Sequence, residues 1–488
     1  MTVWKPPTVT HPLDASVHIP GSKSLSNRYL VLAALAGRPT TIHGLLRSRD
    51  TNLMIQALKK LGAQVLSADE TSTTVTVISP ESGIFKGRCR INCGLAGTVM
   101  RFVPALALYA DSSVVFDGDD QAYRRPMKPL LDGLCQLGAR VEYLGQEGHL
   151  PFMIIPDRNF IAQISPGEES GFETESQSDR PQEVTIDSSA SSQFISGLLL
   201  AASRYPRQVI IRHKGSHLPS LPHIQMTMDE LKLAGCRLVM RQQSADAQPD
   251  SGGSSQVRWS VVRWSVFPPR SKTGLQLPEE IRIEPDLSNA APFLGAALLA
   301  GGRVSIPDWP EETTQPGGLL PQYLLDFGAH IDKTSQAADG RSYTLTASFP
   351  SASRPHGLGD YNLSAAGELA PSLAALAVVA DKPTSFHGIG HLRGHETNRL
   401  AALVNQIHRV GANAEELEDG ITIYPPQSLT DLHPTCMETY ADHRMATFAA
   451  MLSIPIPGLT ISNIETTRKT LPDFPGMWTS MIQQNYQH

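Results

Sequence analysis

Six stretches of the chain are apolar on every side: YLVLAALAG (29–37), FVPALALYAD (102–111), FISGLLLAAS (194–203), PFLGAALLAGG (292–302), PSLAALAVVAD (371–381) and MATFAAMLSI (445–454). A helix without a polar face is a buried helix. Each is followed by a short β-rich run: TTIHG, SVVFDG, QVIIRH, RVSIPD, TSFHG and LTISN. A second phrase recurs between them, an amphipathic end, a glycine and the start of a strand: LKKLGAQV (58–65), LCQLGARV (134–141), LKLAGCRLV (231–239), LLDFGAHI (324–331) and IHRVGANA (407–414). Glycine just past a helix is the usual C-terminal stop. The pattern predicts six α/β units, each with two helices and several strands.

The sixth unit begins near Asp442 and has only 47 residues. Its missing strand is expected from HPLDASVHIP (11–20), which alternates like a strand. One half of the protein would then be discontinuous, residues 1–19 plus 280–488, around a continuous half of 20–279. QQSADAQPDSGGSSQ (242–256) reads as flexible low-complexity sequence, and SPGEESGFETESQSDRPQE (165–183) as a surface loop. VRWSV occurs twice in tandem (257–261 and 262–266), which suggests a lengthened edge strand.

Composition narrows the class. With 41% apolar and 18% charged residues, the 488-residue chain can build full-sized cores. Its net charge is 41 − 47 = −6, which gives no reason to expect nucleic acid or a membrane surface as partner. No apolar run approaches the roughly 20 residues of a bilayer span. The N-terminus MTVWKPPTVTHP lacks a signal core, and five scattered cysteines make no disulfide framework. A soluble, cytoplasmic, globular protein is expected.

Against this acidic background the cations are placed selectively. One set of informative residues precedes the buried helices: GSKSLSNR (21–28), GLAGTVMR (94–101), SSASSQF (188–194), EPDLSNAAPF (284–293), GELAPS (367–372) and ADHRMA (441–446). The other follows the short strands: DDQAYRRPM (119–127), KGSHLPSLPH (214–223), HLRGHETNR (391–399) and TTRKTLPDF (466–474). Ser and Asp at helix starts cap them, and free N–H groups there attract anions. Arg and Lys in the neighbouring loops favour phosphate and carboxylate. Together they predict a converging site for small polyanions, with helix capping alone as the simpler alternative.

Other signals lead elsewhere and fail. His387, His391 and His395 have helical metal spacing, but Gly388, Gly390 and Gly394 interrupt the helix, so no metal is expected. GSKS lacks the remaining P-loop residues, and no G-x-S-x-G nucleophile elbow is present.

PGSKSLSNR, GLAGTVMR, SSQF, LRGHETNR, DHRMA and KTLPDFP in this order resemble the 5-enolpyruvylshikimate-3-phosphate (EPSP) synthase family over nearly the whole chain. The resemblance implies an α/β fold: a two-domain inverted (inside-out) α/β barrel, three pseudo-repeated α/β units per domain, with the active site in the cleft between the domains. It implies transfer of the enolpyruvyl group of phosphoenolpyruvate (PEP) to the 5-hydroxyl of shikimate 3-phosphate, with release of phosphate. No cofactor is implied, and a monomer is expected. Lys23, Ser24, Arg28, Ser191, Ser192, Gln193, Ser220, Glu368, His391 and His395 match shikimate-phosphate positions. Lys23, Gly97, Arg125, Gln193, Arg399, Arg444 and Lys469 match PEP positions. Glu396 and Lys23 match the proton-transfer groups, with His395 beside Glu396, and Glu368 matches the acid that meets the acceptor hydroxyl. For Glu396 the plainer reading is a salt bridge to Arg393 or Arg399.

The chain departs from the commonest family pattern at several places. Leu95 replaces an asparagine, His223 a tyrosine, His395 a lysine and Asn398 an aspartate, and Glu368 is one methylene longer than the usual aspartate. A sister family, UDP-N-acetylglucosamine enolpyruvyl transferase, carries a reactive cysteine where this chain has DGDDQAYRRPM, and Cys135 falls on the following helix. A non-catalytic anion-binding homologue is the alternative from another class.

Overall fold

The computed structural model describes residues 3–159, 161, 180–215, 218, 220–244, 260–267, 275–335, 341–394 and 396–484. All six apolar stretches lie in buried helices: α1 (Lys23–Leu35), α2 (Gly97–Leu106), α3 (Gln193–Ala202), α4 (Leu287–Ala300), α5 (Ala370–Val378) and α6 (His443–Leu452). A strand follows each: Thr40–His43, Val114–Asp117, Val209–His213, Gly302–Pro310, Thr384–His387 and Thr460–Ser462. Glycines 62, 138, 235, 328 and 411 all take φ between 90° and 103°. That left-handed geometry ends the second helix of a unit at little cost only in glycine.

The described chain divides into two compact units, one of residues 23–283 and one of residues up to 22 together with those from 284 onward. Each has its own hydrophobic core, built on α1–α3 in the first and α4–α6 in the second. Close helix packing explains the small residues. A Cβ on Gly197 of α3 would lie 2.3 Å from the Arg101 carbonyl oxygen of α2, so only glycine lets these helices approach.

One strand order recurs. Cys89–Asn92 pairs parallel with Val114–Asp117, across the connection that contains α2. Val114–Asp117 pairs antiparallel with Phe152–Ile155, and Arg140–Tyr143 completes the sheet. The sheets around Val209–His213 and Thr384–His387 repeat this arrangement.

Two units exchange their first strands. Glu280–Arg282, which precedes α4 in the chain, pairs parallel with Thr40–His43 of the first unit. Leu13–Ser16, which precedes α1, pairs parallel with Gly302–Pro310 after α4. This corrects the expectation that HPLDASVHIP completes the sixth unit. There Cys436–Met437 already occupies the parallel place beside Thr460–Ser462, and Val3–Trp4 adds an antiparallel edge. The fourth unit has the vacancy because its own strand has been given away. Gly302 fits the incoming strand closely: a Cβ there would stand 2.1 Å from the Leu13 carbonyl oxygen.

A second expectation is also corrected. The second VRWSV lies in Ser260–Phe267, which is an interior strand, inserted between Val209–His213 and Arg237–Ser244. Val262, Trp264 and Val266 are buried on one face, and what makes the strand interior is a hydrogen-bonded neighbour on each side. The first copy falls largely outside the described residues. So do 165–179 and 245–256 of the two expected loops, whereas Gln182–Ile186 and Arg237–Ser244 are strands. Among the described residues no helix is long and apolar enough to cross a membrane.

Candidate active site

In the first unit Lys23 opens α1, half-buried, with Nζ 3.8 Å from Oδ2 of the buried Asp50. Asp50 lies in the first turn of helix Arg49–Lys60, where N–H groups support a carboxylate. Arg28, five residues on from Lys23, is almost wholly buried. Its Nε donates to Thr227 Oγ1 at 2.8 Å, Nη1 to the Ser24 carbonyl at 3.0 Å and Nη2 to the His223 carbonyl at 2.9 Å. Burial lowers its pKa to about 10, opposed by Glu230. Arg28 therefore ties α1 to helix Leu221–Leu233, whose N-cap is Ser220 with φ 50°.

Gly97, Arg125 and Gln193 converge. A Cβ on Gly97 would lie 3.0 Å from Gln193 Oε1 and 3.2 Å from Arg125 Nη2. Arg125 donates to the carbonyl of Leu95 at 3.2 Å, so the residue that replaces the usual asparagine contributes its backbone here. Gln193 Oε1 is buried without a hydrogen-bond partner among the described residues. Ser191 and Ser192 precede it directly at the start of α3.

Arg101 was not singled out by the sequence. It is buried on α2, one turn on from Gly97, and its guanidinium lies 5.8 Å from the Phe194 ring centroid. Burial, followed by repulsion from Arg125, pushes its pKa well down. Two neighbouring arginines of which one is desolvated make a place where an anion relieves repulsion.

The compact unit from residue 284 onward holds a linked series of charged groups, joined in part through backbone atoms and Ser288. Glu396 forms one ion pair with Lys469 and another with Arg399, whose Nη2 is 3.0 Å from Glu396 Oε2. Arg399 also donates from Nε to Asp442 Oδ2 at 2.7 Å. Asp442 is fully buried and caps α6 by accepting from the Arg444 backbone N–H at 2.8 Å. Arg444 Nη1 donates to the Ser288 carbonyl at 2.8 Å, and Ser288 Oγ donates to Glu368 Oε1 at 3.2 Å. Of the two arginines weighed as partners of Glu396, Arg399 is the one found; Arg393 pairs with Glu416 instead.

The electrostatics follow from this arrangement. Burial works against the Arg399 charge, but Asp442 and Glu396 outweigh it and hold its pKa above the ordinary value. Burial lowers the Arg444 pKa, opposed chiefly by Asp286. Burial raises the Glu368 pKa, opposed by its own backbone N–H, Arg444, the Ser288 hydroxyl and His391. His391 stands beside this group: a Cβ on Gly367 would meet its Cε1 at 2.9 Å. His395 lies outside the described residues. Asn398 caps helix Arg399–Arg409, accepting from Ala401 N–H at 3.2 Å, the work an aspartate would do there.

Asp50, Asp442 and Ser288 were likewise not singled out as site residues. Asp442 had a signal, an acid at the N-cap of a buried helix two residues before an arginine. Among the described residues no cluster of His, Cys, Asp and Glu could hold a metal ion.

These features define a class: an α/β protein of repeated units whose buried helix starts carry arginine, lysine and carboxylate groups suited to anionic ligands. The model of the EPSP synthase (3-phosphoshikimate 1-carboxyvinyltransferase) family matches residues 7–478, and the chain belongs to that family. It is 53% identical over 482 residues to the 3-phosphoshikimate 1-carboxyvinyltransferase of Bifidobacterium longum (strain DJO10A), covering 99% of this chain and 98% of that one. It is 42% identical to the enzyme of the same name from Kocuria rhizophila, covering 96% and 94%. Two EPSP synthase structures from Acinetobacter baumannii, each 20% identical, share the fold. One has a TM-score of 0.70 over 97% of this chain and 96% of that chain, the other 0.68 over 95% of each.

Proposed function

We propose that this chain is a 3-phosphoshikimate 1-carboxyvinyltransferase that moves the enolpyruvyl group of PEP onto the 5-hydroxyl of shikimate 3-phosphate and releases phosphate. This places it in chorismate and aromatic amino acid biosynthesis, as a cytoplasmic monomer. Family membership supports the reaction. The observation that carries the chemistry is the linked set Lys469–Glu396–Arg399–Asp442–Arg444, which joins two carboxylates to Lys469 and Arg399 and, through its backbone N–H, to Arg444.

In this reading Arg125, Gln193, Arg399, Arg444 and Lys469 receive PEP beside Gly97. Lys23, Ser24, Arg28, Ser191, Ser192, Gln193, Ser220, His391 and His395 hold shikimate 3-phosphate. Three of the five Arg28 N–H groups are engaged in the bonds described above, so its share is partly to hold neighbouring residues in place. Glu396 is paired with Lys469 and Arg399 in the free protein, and an incoming phosphate or carboxylate competes for the same cations. Glu396 and Lys23 then deliver a proton to the PEP methylene carbon, and Glu368 accepts one from the attacking hydroxyl. The adduct returns a methyl proton and loses phosphate, whose charge the arginines and Lys469 stabilise.

For the architecture we propose the family's inverted α/β barrel, with three pseudo-repeats in each unit. The recurring strand order and the three buried helices per core support it. The deciding experiment is phosphate release from PEP. Release that requires shikimate 3-phosphate supports the assignment; release with UDP-N-acetylglucosamine instead, or with neither acceptor, overturns it.

A further inference from the structure

One buried histidine has no part in the site as described. His213 ends strand Val209–His213 and is 1% exposed. Its Nδ1 lies 3.2 Å from the backbone nitrogen of Ser188 and 2.9 Å from Ser188 Oγ. A backbone amide can only donate, so Nδ1 accepts and carries no proton. Ser188 begins the turn into α3. Its carbonyl accepts from Ser191 N–H at 3.1 Å, and Ser191 Oγ accepts from Gln193 N–H at 3.3 Å. A relay of hydrogen bonds thus runs from the imidazole to Ser191 and Gln193.

Gly215 bears on the same turn from two residues further on. A Cβ there would lie 2.2 Å from Ser189 Oγ, 2.3 Å from Asp187 Oδ1 and 2.6 Å from His213 Cε1. Asp187 Oδ1 meanwhile accepts from Ser189 N–H at 2.8 Å. The two segments are registered by parallel pairing of Ile186 with His213, continued by Lys214 N–H to the Ile186 carbonyl at 2.9 Å. The turn is therefore held from one side by an acceptor and from another by a surface with no room for a side chain.

We propose that His213, with Gly215 packed beside it, is a positioning residue for shikimate 3-phosphate, fixing the Ser188–Gln193 turn without touching the ligand. The inference rests on the reading that Ser191, Ser192 and Gln193 hold that substrate. Leucine at 213 fills the space but leaves the Ser188 N–H without an acceptor. Asparagine can place an amide oxygen near the position of Nδ1 and restore it.

Steady-state constants for both substrates test this on the full-length enzyme, with melting temperatures measured alongside. His213→Leu should raise KM for shikimate 3-phosphate about tenfold and KM for PEP, which shares only Gln193 of this turn, by no more than about threefold, while kcat changes less than about twofold. His213→Asn should return that KM to within about threefold of wild type, and Gly215→Ala should raise it at least about fivefold. Unchanged KM in His213→Leu or Gly215→Ala, or equal rises for both substrates, overturns the proposal. If His213→Leu yields no folded protein, the contrast between His213→Asn and Gly215→Ala decides. Ser192→Ala is the reference: if it leaves KM for shikimate 3-phosphate unchanged, the reading of the turn as a substrate site fails, whatever His213 does.

Discussion

Arg399 and Asp442 form a two-point contact, Nε to Oδ2 at 2.7 Å and Nη2 to Oδ1 at 3.2 Å, with both side chains buried. The same Asp442 accepts the first-turn N–H of Arg444. One carboxylate therefore orients two arginines, the first through its side chain and the second through its backbone. A bidentate pair of this kind fixes the plane of a guanidinium, which matters where it must meet phosphate.

Removing that carboxylate leaves the buried Arg399 only its pair with Glu396, which Lys469 shares. Asp442→Ala should destabilise the protein by about 3–5 kcal/mol, the usual cost of breaking one side of a buried pair. Asp442→Asn keeps the α6 cap and should lose less stability, yet it no longer balances Arg399. Its KM for PEP should rise and its kcat fall. Denaturant melts of both variants with steady-state kinetics of Asp442→Asn check this; wild-type kinetics in Asp442→Asn would dismiss the orienting role.

Lys23 presents a looser pair. Its ion pair with Asp50 is long, at 3.8 Å, and its side chain is 19% exposed. Lys23→Met should keep the melting temperature within the shift expected of about 1 kcal/mol. Turnover should fall by more than about tenfold, at least about 1.4 kcal/mol of barrier. A folded Lys23→Met enzyme with more than a tenth of wild-type kcat would remove Lys23 from the proton-transfer step.

The sequence shows most clearly what depends on local pattern. The six buried helices, the strands after them and the five helix-ending glycines follow from residues adjacent in the chain, because periodicity and capping are short-range. Strand partnership is not local. Leu13–Ser16 reads as a strand by its alternation, but whether it joins the fourth or the sixth unit depends on which sheet lacks a parallel member. Alternation likewise cannot tell the interior strand Ser260–Phe267 from an edge. At the site, the cations were legible because they stand out from an acidic chain. Their partners were not: Asp442 lies 43 residues from Arg399, and Ser288 lies 80 from Glu368.

Glu368 sets stability and activity against each other as pH changes. Its pKa is raised in the folded protein, so folding favours the protonated form. The stability this contributes is full below the unfolded value, about 4.3, and is lost as pH rises through the folded value. Accepting a proton from the substrate hydroxyl requires the ionised form, so kcat should decline on the acid side at a higher pH than an ordinary glutamate would give. Glu368→Gln should therefore be slow at all pH values, yet melt higher than wild type near neutrality, with the difference closing toward pH 4. Parallel melting curves of the two proteins from pH 4 to 8 would contradict the raised pKa.

Gly97 offers the most direct test of the PEP site. An added methyl group would stand 3.0 Å from Gln193 Oε1 and 3.2–3.3 Å from the two Arg125 Nη atoms, tighter than comfortable contact. Either the two side chains move away or the methyl projects toward bound ligand. Both outcomes reach PEP, because Arg125 and Gln193 are proposed to hold it. Glyphosate, which inhibits the family by occupying the PEP site, is slightly longer and has less room to adjust. Inhibition of the wild type should be competitive with PEP. Gly97→Ala should weaken the inhibitor by about 1–3 kcal/mol, the size of overpacking penalties, and raise KM for PEP by less. Inhibition series at several PEP concentrations on the two proteins decide the matter. Equal sensitivity of wild type and Gly97→Ala, or inhibition that PEP does not relieve, would show that Gly97 does not border this pocket.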